Sequence, residues 1–208
     1  MKPIILINFK TYNYGKIAIA LAKEIEKVNK NIIIAVQPTD IKEISSKTKL
    51  KVYSQHVDSA KPERATGFIT PESVKSVGAS GVLLNHSEHQ IDFKTLKETI
   101  KRCKKIKLNT AIFASGLKEA KKIEKLKPTF LIYEPPELVG GKISVSSSKP
   151  EIISKIAKSI KTKFLVGAGI KTKEDIKNSI KLGASGVAFA SVITTAKNPK
   201  KTLKELLI

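Results

Sequence analysis

Eight short apolar runs recur along the chain at nearly even spacing, and no other feature narrows the possible folds as much. They occupy residues 4–7 (IILI), 32–36 (IIIAV), 51–54 (KVYS), 80–84 (SGVLL), 109–113 (NTAIF), 129–133 (TFLIY), 163–166 (KFLV) and 185–189 (SGVAF). Runs of four or five residues rich in β-branched and aliphatic side chains predict strands. They are continuously apolar more than alternating, which is the pattern of parallel strands covered on both faces.

The intervening segments carry apolar residues at three- and four-residue spacing. Ile17, Leu21 and Ile25 mark one face, Leu96, Ile100 and Cys103 a second, and Ile152, Ile156 and Ile160 a third, so amphipathic helices are predicted there. Start signals agree, as in Thr70-Pro71-Glu72 and Thr172-Lys173-Glu174-Asp175. VKSVGASGVLL (74–84) and IKLGASGVAF (180–189) repeat one phrase: a helix end, a Gly-Ala turn and a new strand. Eight such αβ units closing on themselves make a (β/α)₈ barrel spanning 1–208 as a single domain; an open, doubly wound sheet is the structural alternative. No Pro/Gly/Ser-rich linker divides the chain, and 144–150 (SVSSSKP) is expected to be a polar loop.

A formal net charge of +21 invites a nucleic-acid reading. Its composition argues against one. Only Arg64 and Arg102 are arginines, so 37 of the 39 basic residues are lysines, scattered among acids on helix-like segments. Bidentate reading of bases or phosphates favours arginine, and stacking needs aromatics interleaved with the basic runs. A solvated lysine surface, which would also steer an anionic substrate, is the plainer account. The apolar stretch from Pro3 to Ile7 is too short to span a membrane and has no charged leader or cleavage site, so a cytoplasmic, soluble protein without a membrane partner is expected. The single cysteine, Cys103, has no internal partner and is expected to be structural.

In a parallel barrel, function gathers just beyond the C-terminal ends of the strands. Those positions hold Asn8-Phe9-Lys10, Gln55-His56, Asn85-His86-Ser87-Glu88, Glu134-Pro135-Pro136-Glu137-Leu138-Val139-Gly140-Gly141, Gly167-Ala168-Gly169 and Ala190-Ser191. A lysine, a histidine and a glutamate at three strand ends converge on one small ligand, while small residues after the last two strands let backbone N–H groups approach a phosphate. Ser87-Glu88 read as a helix start; a helix N-terminus beside His86 would hold its imidazole neutral.

The ordered set NFK, NHSE, EPPELVG, GAGI and Ala190-Ser191 resembles the triosephosphate isomerase family, in its shorter archaeal type, over residues 4–191. The resemblance implies a cofactor-free, metal-free isomerase of triose phosphates. In it Glu134 is the base, neutral His86 donates to the carbonyl oxygens and shuttles protons, and Lys10 with Asn8 stabilises negative charge. It also implies substrate contacts along Asn8-Phe9-Lys10 and a phosphate held at Val139, Gly140, Gly169, Ala190 and Ser191 under a lid starting at Pro135. His56 and His89 have no comparable match and are expected to be structural. The chain departs from the family in three places: GGK at 140–142 replaces the usual GTG, Ala190-Ser191 replaces the Gly-Gly of most bacterial and eukaryotic members, and the chain is short. The loop PERATG (62–67), with Thr66 at its tip, lies where the family reaches into a neighbouring subunit, implying a homodimer or homotetramer.

Two other functions compete. Another phosphate-binding barrel, a sugar-phosphate epimerase or a lyase, would share the late glycines but lack the joint NFK, NHSE and EPPEL set. A basic nucleic-acid binder would need none of it.

Overall fold

A computed structural model describes residues 2–61, 63–141 and 144–207. Eight parallel strands close on themselves in sequence order: β1 (Ile4–Asn8), β2 (Ile33–Val36), β3 (Lys51–Ser54), β4 (Gly81–Leu84), β5 (Asn109–Ala114), β6 (Phe130–Tyr133), β7 (Phe164–Val166) and β8 (Gly186–Phe189), with β8 pairing back onto β1 through Ile4–Gly186 to Ile7–Phe189. Each strand lies within one residue of the apolar run that predicts it. The closed circuit decides against the open sheet.

Ten helices surround the barrel: α1 (Gly15–Val28), α2 (Ile41–Lys47), α3 (Pro71–Ser76), α4 (Phe93–Lys105), α5 (Leu117–Glu124), α6 (Val145–Ser148), α7 (Pro150–Ser159), α8 (Lys173–Lys181), α9 (Ser191–Thr194) and α10 (Pro199–Leu207), counted among the described residues. Single 3₁₀ turns cover Pro38–Asp40 and Pro136–Leu138.

The strand alternation splits the core in two. Leu6, Ile33, Ala35, Tyr53, Leu83, Ala111, Phe113, Ile132, Leu165 and Ala188 pack together inside the barrel. Their sequence neighbours, such as Ile5 and Ile7, Ile34 and Val36, Val82 and Leu84, or Val187 and Phe189, face outward into the helix layer. Because both faces are buried, both sets must be apolar, which is why the strands read as unbroken apolar runs. Truncating an interior residue such as Ile132, which is fully buried, to alanine costs about 2–5 kcal/mol.

The repeated Gly-Ala-Ser-Gly turn does the same work twice. Gly78 and Gly183 end α3 and α8 with φ of 102° and 101°, a region that glycine enters without strain. Gly81 and Gly186 then open β4 and β8. A Cβ at Gly81 would stand 2.3 Å from the Tyr53 ring, and one at Gly186 would stand 2.0 Å from the Ile4 carbonyl oxygen.

Helix caps follow the sequence signals: the Thr70 side chain accepts from Ser73 N–H, and Thr172 and Asp175 form a reciprocal capping box. Three helical expectations need correction. Ile17 is 59% exposed, because α1 turns Ala18, Leu21, Ala22 and Ile25 inward. On α7 the inward residues are Ile153 and Ile156; Ile152 is half-buried and Ile160 is buried just past the helix end. Residues 144–150 are not a plain loop, since Val145–Ser148 form α6 and Ser146 is buried. Cys103 is buried on α4, and burial pushes its thiol up to about 12, as expected of a structural residue. No helix of the described residues is long and apolar enough to cross a membrane.

Candidate active site

The strand alternation that fills the barrel also aims its last residues at the rim. Asn8 follows the inward Leu6 by two positions and ends β1, so it caps the interior on the C-terminal side. Its Oδ1 accepts from the Lys10 N–H at 3.0 Å and from Gln55 Nε2 at 3.2 Å. Gln55 Nε2 also donates to the Lys10 carbonyl at 2.8 Å. These bonds hold Lys10 at a φ of 47°, an unusual conformation for a residue with a Cβ. The Lys10 ammonium pairs with Glu88 at 2.6 Å.

Beyond β4 the chain turns sharply, with His86 and His89 bridged and the His89 N–H donating to the His86 carbonyl. The turn sends the Glu88 N–H to His86 Nδ1 at 3.0 Å. With Nδ1 accepting, the neutral ring carries its proton on Nε2, which lies 3.2 Å from Glu134 Oε2. That pair is close but not aligned as a hydrogen bond, so the buried Oε2 has no partner among the described residues.

Glu134 follows β6 and its side chain is only 10% exposed. Burial raises its pKa to about 7, with Lys10 partly offsetting the rise. Burial also lowers the His86 pKa to about 4, with Glu88 opposing. A neutral histidine therefore faces a carboxylate that ionises near neutrality, the division of charge suited to an electrophile and a base. Gly167 leaves room for the acid, because a Cβ there would stand 2.9 Å from Glu134 Oε1.

Short residues supply much of the remaining wall. Ala168 and Gly169 have successive φ values of 68° and 67°, and α9 begins at Ser191. The segment after β6 is tied to the segment after β7 by Lys171 Nζ, which donates to the Gly141 carbonyl at 2.9 Å, and to the junction of α6 and α7 by the Glu137–Lys149 ion pair. One pocket is lined by Asn8, Lys10, His86, Glu134, Val139, Gly140, Gly169, Ala190 and Ser191 together.

Residues 3–114 match the family model described as triosephosphate isomerase. The chain is 41% identical to the triosephosphate isomerase of Sulfolobus acidocaldarius, an alignment covering 99% of this chain and 94% of that one. The chain belongs to the triosephosphate isomerase family. The enzyme of that name from Methanocaldococcus jannaschii is 36% identical, with 98% of each chain covered. A crystal structure of triosephosphate isomerase from Bartonella henselae matches the fold with a TM-score of 0.75 at 16% identity, covering 97% of this chain and 98% of that one. Residues 140–207 match a second model, described as histidine biosynthesis protein.

Against the triosephosphate isomerase resemblance, the pocket contains every expected residue except Phe9, which is fully buried in the core and turned away from it. The expected cause of the neutral histidine also changes. No helix starts at Ser87-Glu88; α4 begins at Phe93, where Asp92 accepts from the Lys94 and Thr95 N–H groups. Desolvation, not a helix terminus, depresses the imidazole. His56 and His89 stack at 4.0 Å outside this pocket. Lys142 of the GGK departure and Pro62 of PERATG lie outside the described residues. Ala168 and Ile170, which the strand-end motif contains without a contact assigned to them, and Lys171, which it does not contain, also line the pocket. Their adjacency to Gly169 was the available signal.

Proposed function

We propose that this family member interconverts D-glyceraldehyde 3-phosphate and dihydroxyacetone phosphate by proton transfer through an enediolate. The observation that carries the reading is the pair of buried groups with opposite shifts: Glu134 and His86 face each other at 3.2 Å across the pocket that also receives Lys10. Glu134, as carboxylate, removes the proton from the carbon beside the carbonyl, and the electron pair moves onto the carbonyl oxygen. His86 Nε2–H donates to that oxygen as charge develops, and Lys10 and Asn8 lower the energy of the enediolate. Glu134 then returns the proton to the former carbonyl carbon while His86 relays the proton of the adjacent hydroxyl to the former carbonyl oxygen, so that hydroxyl becomes the new carbonyl, no net proton is lost and neither metal nor cofactor is required.

The phosphate would sit against Val139, Gly140, Gly169, Ala190 and Ser191, where small residues let N–H groups approach an anion. The 135–141 segment closing over it would exclude water and protect the intermediate.

Assembly belongs to the same proposal. Tyr12, Tyr14 and Phe68 are 50%, 62% and 59% exposed, and a second cavity beside the catalytic groups is lined by Tyr12, Gln37, Gln55, His56, Ile69 and His89. The loop bearing Thr66 is closed at its neck by Asp58 and Ile69, and Arg102 holds it at the Ser59 and Ala60 carbonyls. An exposed loop beside a receptive cavity supports a homodimer, or a homotetramer built from dimers, of single-domain subunits. We place the enzyme in the cytoplasm, with no membrane partner and no specific nucleic-acid partner. A coupled assay with glyceraldehyde 3-phosphate tests the central reading, and turnover no faster than in a Glu134→Gln control would reject it.

A further inference from the structure

The loop carrying His86 is held from behind by a side chain that does not line the substrate pocket. Asn85 directly follows β4 with a φ of 60° and is 7% exposed. Asparagine tolerates this conformation better than most residues because its carboxamide bonds locally. Here it does more. Asn85 Oδ1 accepts from the Ile91 N–H at 3.3 Å, closing the loop that contains His86 and Glu88. On the other side Nδ2 donates to the Phe113 carbonyl of β5 at 3.1 Å and to Glu119 Oε1 of α5 at 3.0 Å. Two acceptors on one side and a donor on the other leave the carboxamide one orientation.

Glu119 is itself fixed, because its Oε2 accepts from the Ser115 N–H and hydroxyl at 2.8 and 2.7 Å. Phe113 serves both neighbours: its carbonyl takes Asn85, and its ring meets the His86 imidazole edge-on at 4.5 Å. The position of the imidazole is thus referred to β5 and α5, elements that contribute no proposed catalytic group. We propose that Asn85 and Glu119 are a positioning pair for the isomerase reaction, setting where His86 stands opposite Glu134. The proposal rests on the roles given to those two residues above.

Asn85→Gly separates a clamp from a simple backbone requirement, since glycine adopts the same φ freely while losing all three side-chain hydrogen bonds. A clamp predicts that kcat falls by about 10–100-fold with KM changed by less than about threefold, because a small misplacement of a reacting group acts on the transition state. Glu119→Ala should shift kcat in the same direction by about 3–10-fold, and Glu119→Gln should recover only part of that loss, since its single carbonyl can serve Nδ2 or the Ser115 N–H but not both. In the Asn85→Gly background Glu119→Ala should add nothing, since both act through one bond. In a His86→Gln background Asn85→Gly should change turnover by less than about twofold. Parental kcat in Asn85→Gly, or losses that multiply in the double variant, would overturn the clamp while leaving the catalytic reading intact. Parental turnover in His86→Gln alone would instead reject the catalytic reading and the clamp with it. Should Asn85→Gly fail to fold by circular dichroism, the Glu119 pair decides: equal activity in Glu119→Ala and the parent overturns the proposal.

Discussion

The two sides of the barrel bring different kinds of chemistry to one pocket. From β1 to β4 the contributions are long polar side chains, Asn8, Lys10 and His86, held by side-chain hydrogen bonds. From β7 to β8 they are mostly short residues, Ala168, Gly169, Ala190 and Ser191, with the longer Ile170 and Lys171 beside them. Glu134, between the two sides, is as strongly removed from water as His86, each with a side chain 10% exposed. Under the proposed function the first side performs electrostatic work on a carbonyl and the second holds an anion. Substitutions on the first side should therefore move kcat, and substitutions on the second should move KM.

Glu134→Gln is the most severe test, since it removes the base itself. Turnover should fall by about 10³–10⁴-fold. Stability should respond in the opposite direction. The Glu134 pKa is raised in the folded state to about 7, so its contribution to stability is complete at low pH and is lost as pH rises through 7. At pH 8 the buried charge costs about 3 kcal/mol, so the Gln variant should melt several degrees higher there and unchanged at pH 4. Equal melting temperatures at pH 8 would show that the carboxylate is not desolvated.

His86→Gln comes next, with kcat lowered by about 10²-fold or more and KM nearly unchanged. Its pH signature is the mirror image. The His86 pKa is lowered to about 4, so stability is complete above about 6.5 and is lost as pH falls through 4. The variant should resist acid better than the parent in a urea titration at pH 4. An imidazolium seen by NMR at the activity optimum would break the kcat side of the comparison.

On the other side, Ser191→Asp places a carboxylate where the phosphate is expected. KM should rise by about 10-fold or more with a smaller change in kcat. Stability should hold, because an acid at a helix start is favourable. A change confined to kcat would show that the division between the two sides is false. The smallest effect belongs to neither side. Raising salt from about 0.01 to 0.1 M shortens the Debye length from about 30 to 10 Å, and kcat/KM should fall by only a few-fold as the lysine field is screened.

The same contrast explains what was legible in the sequence. Strand runs, the repeated glycine turn and the strand-end residues are local patterns, and each strand was visible to within a residue. Glu134, His86 and Lys10 stood out through ordered motifs at strand ends. Phe9 lies outside the pocket because alternation, not motif membership, decides direction: Asn8 ends the inward series, so its neighbour turns to the helices. The helix expected at Ser87-Glu88 starts at Phe93 instead, where Asp92 accepts from two N–H groups as the cap. Ile17 and Ile152 show the limit of counting by fours, since a shift of one position moves the buried stripe by about 100°. The Asn85–Glu119 contact joins residues 34 apart, and no local pattern announces it.

The bond from Lys171 to the Gly141 carbonyl has an evolutionary side. Its acceptor is main chain, so no exchange of side chain at position 141 deletes the acceptor. The side chain at 141 can thus change while the attachment to the opposite wall survives, whereas Gly140, with its φ of 72°, has no such latitude; the residue whose identity the attachment depends on is the lysine. Small residues at 141 should accordingly preserve more function than substitutions at 171.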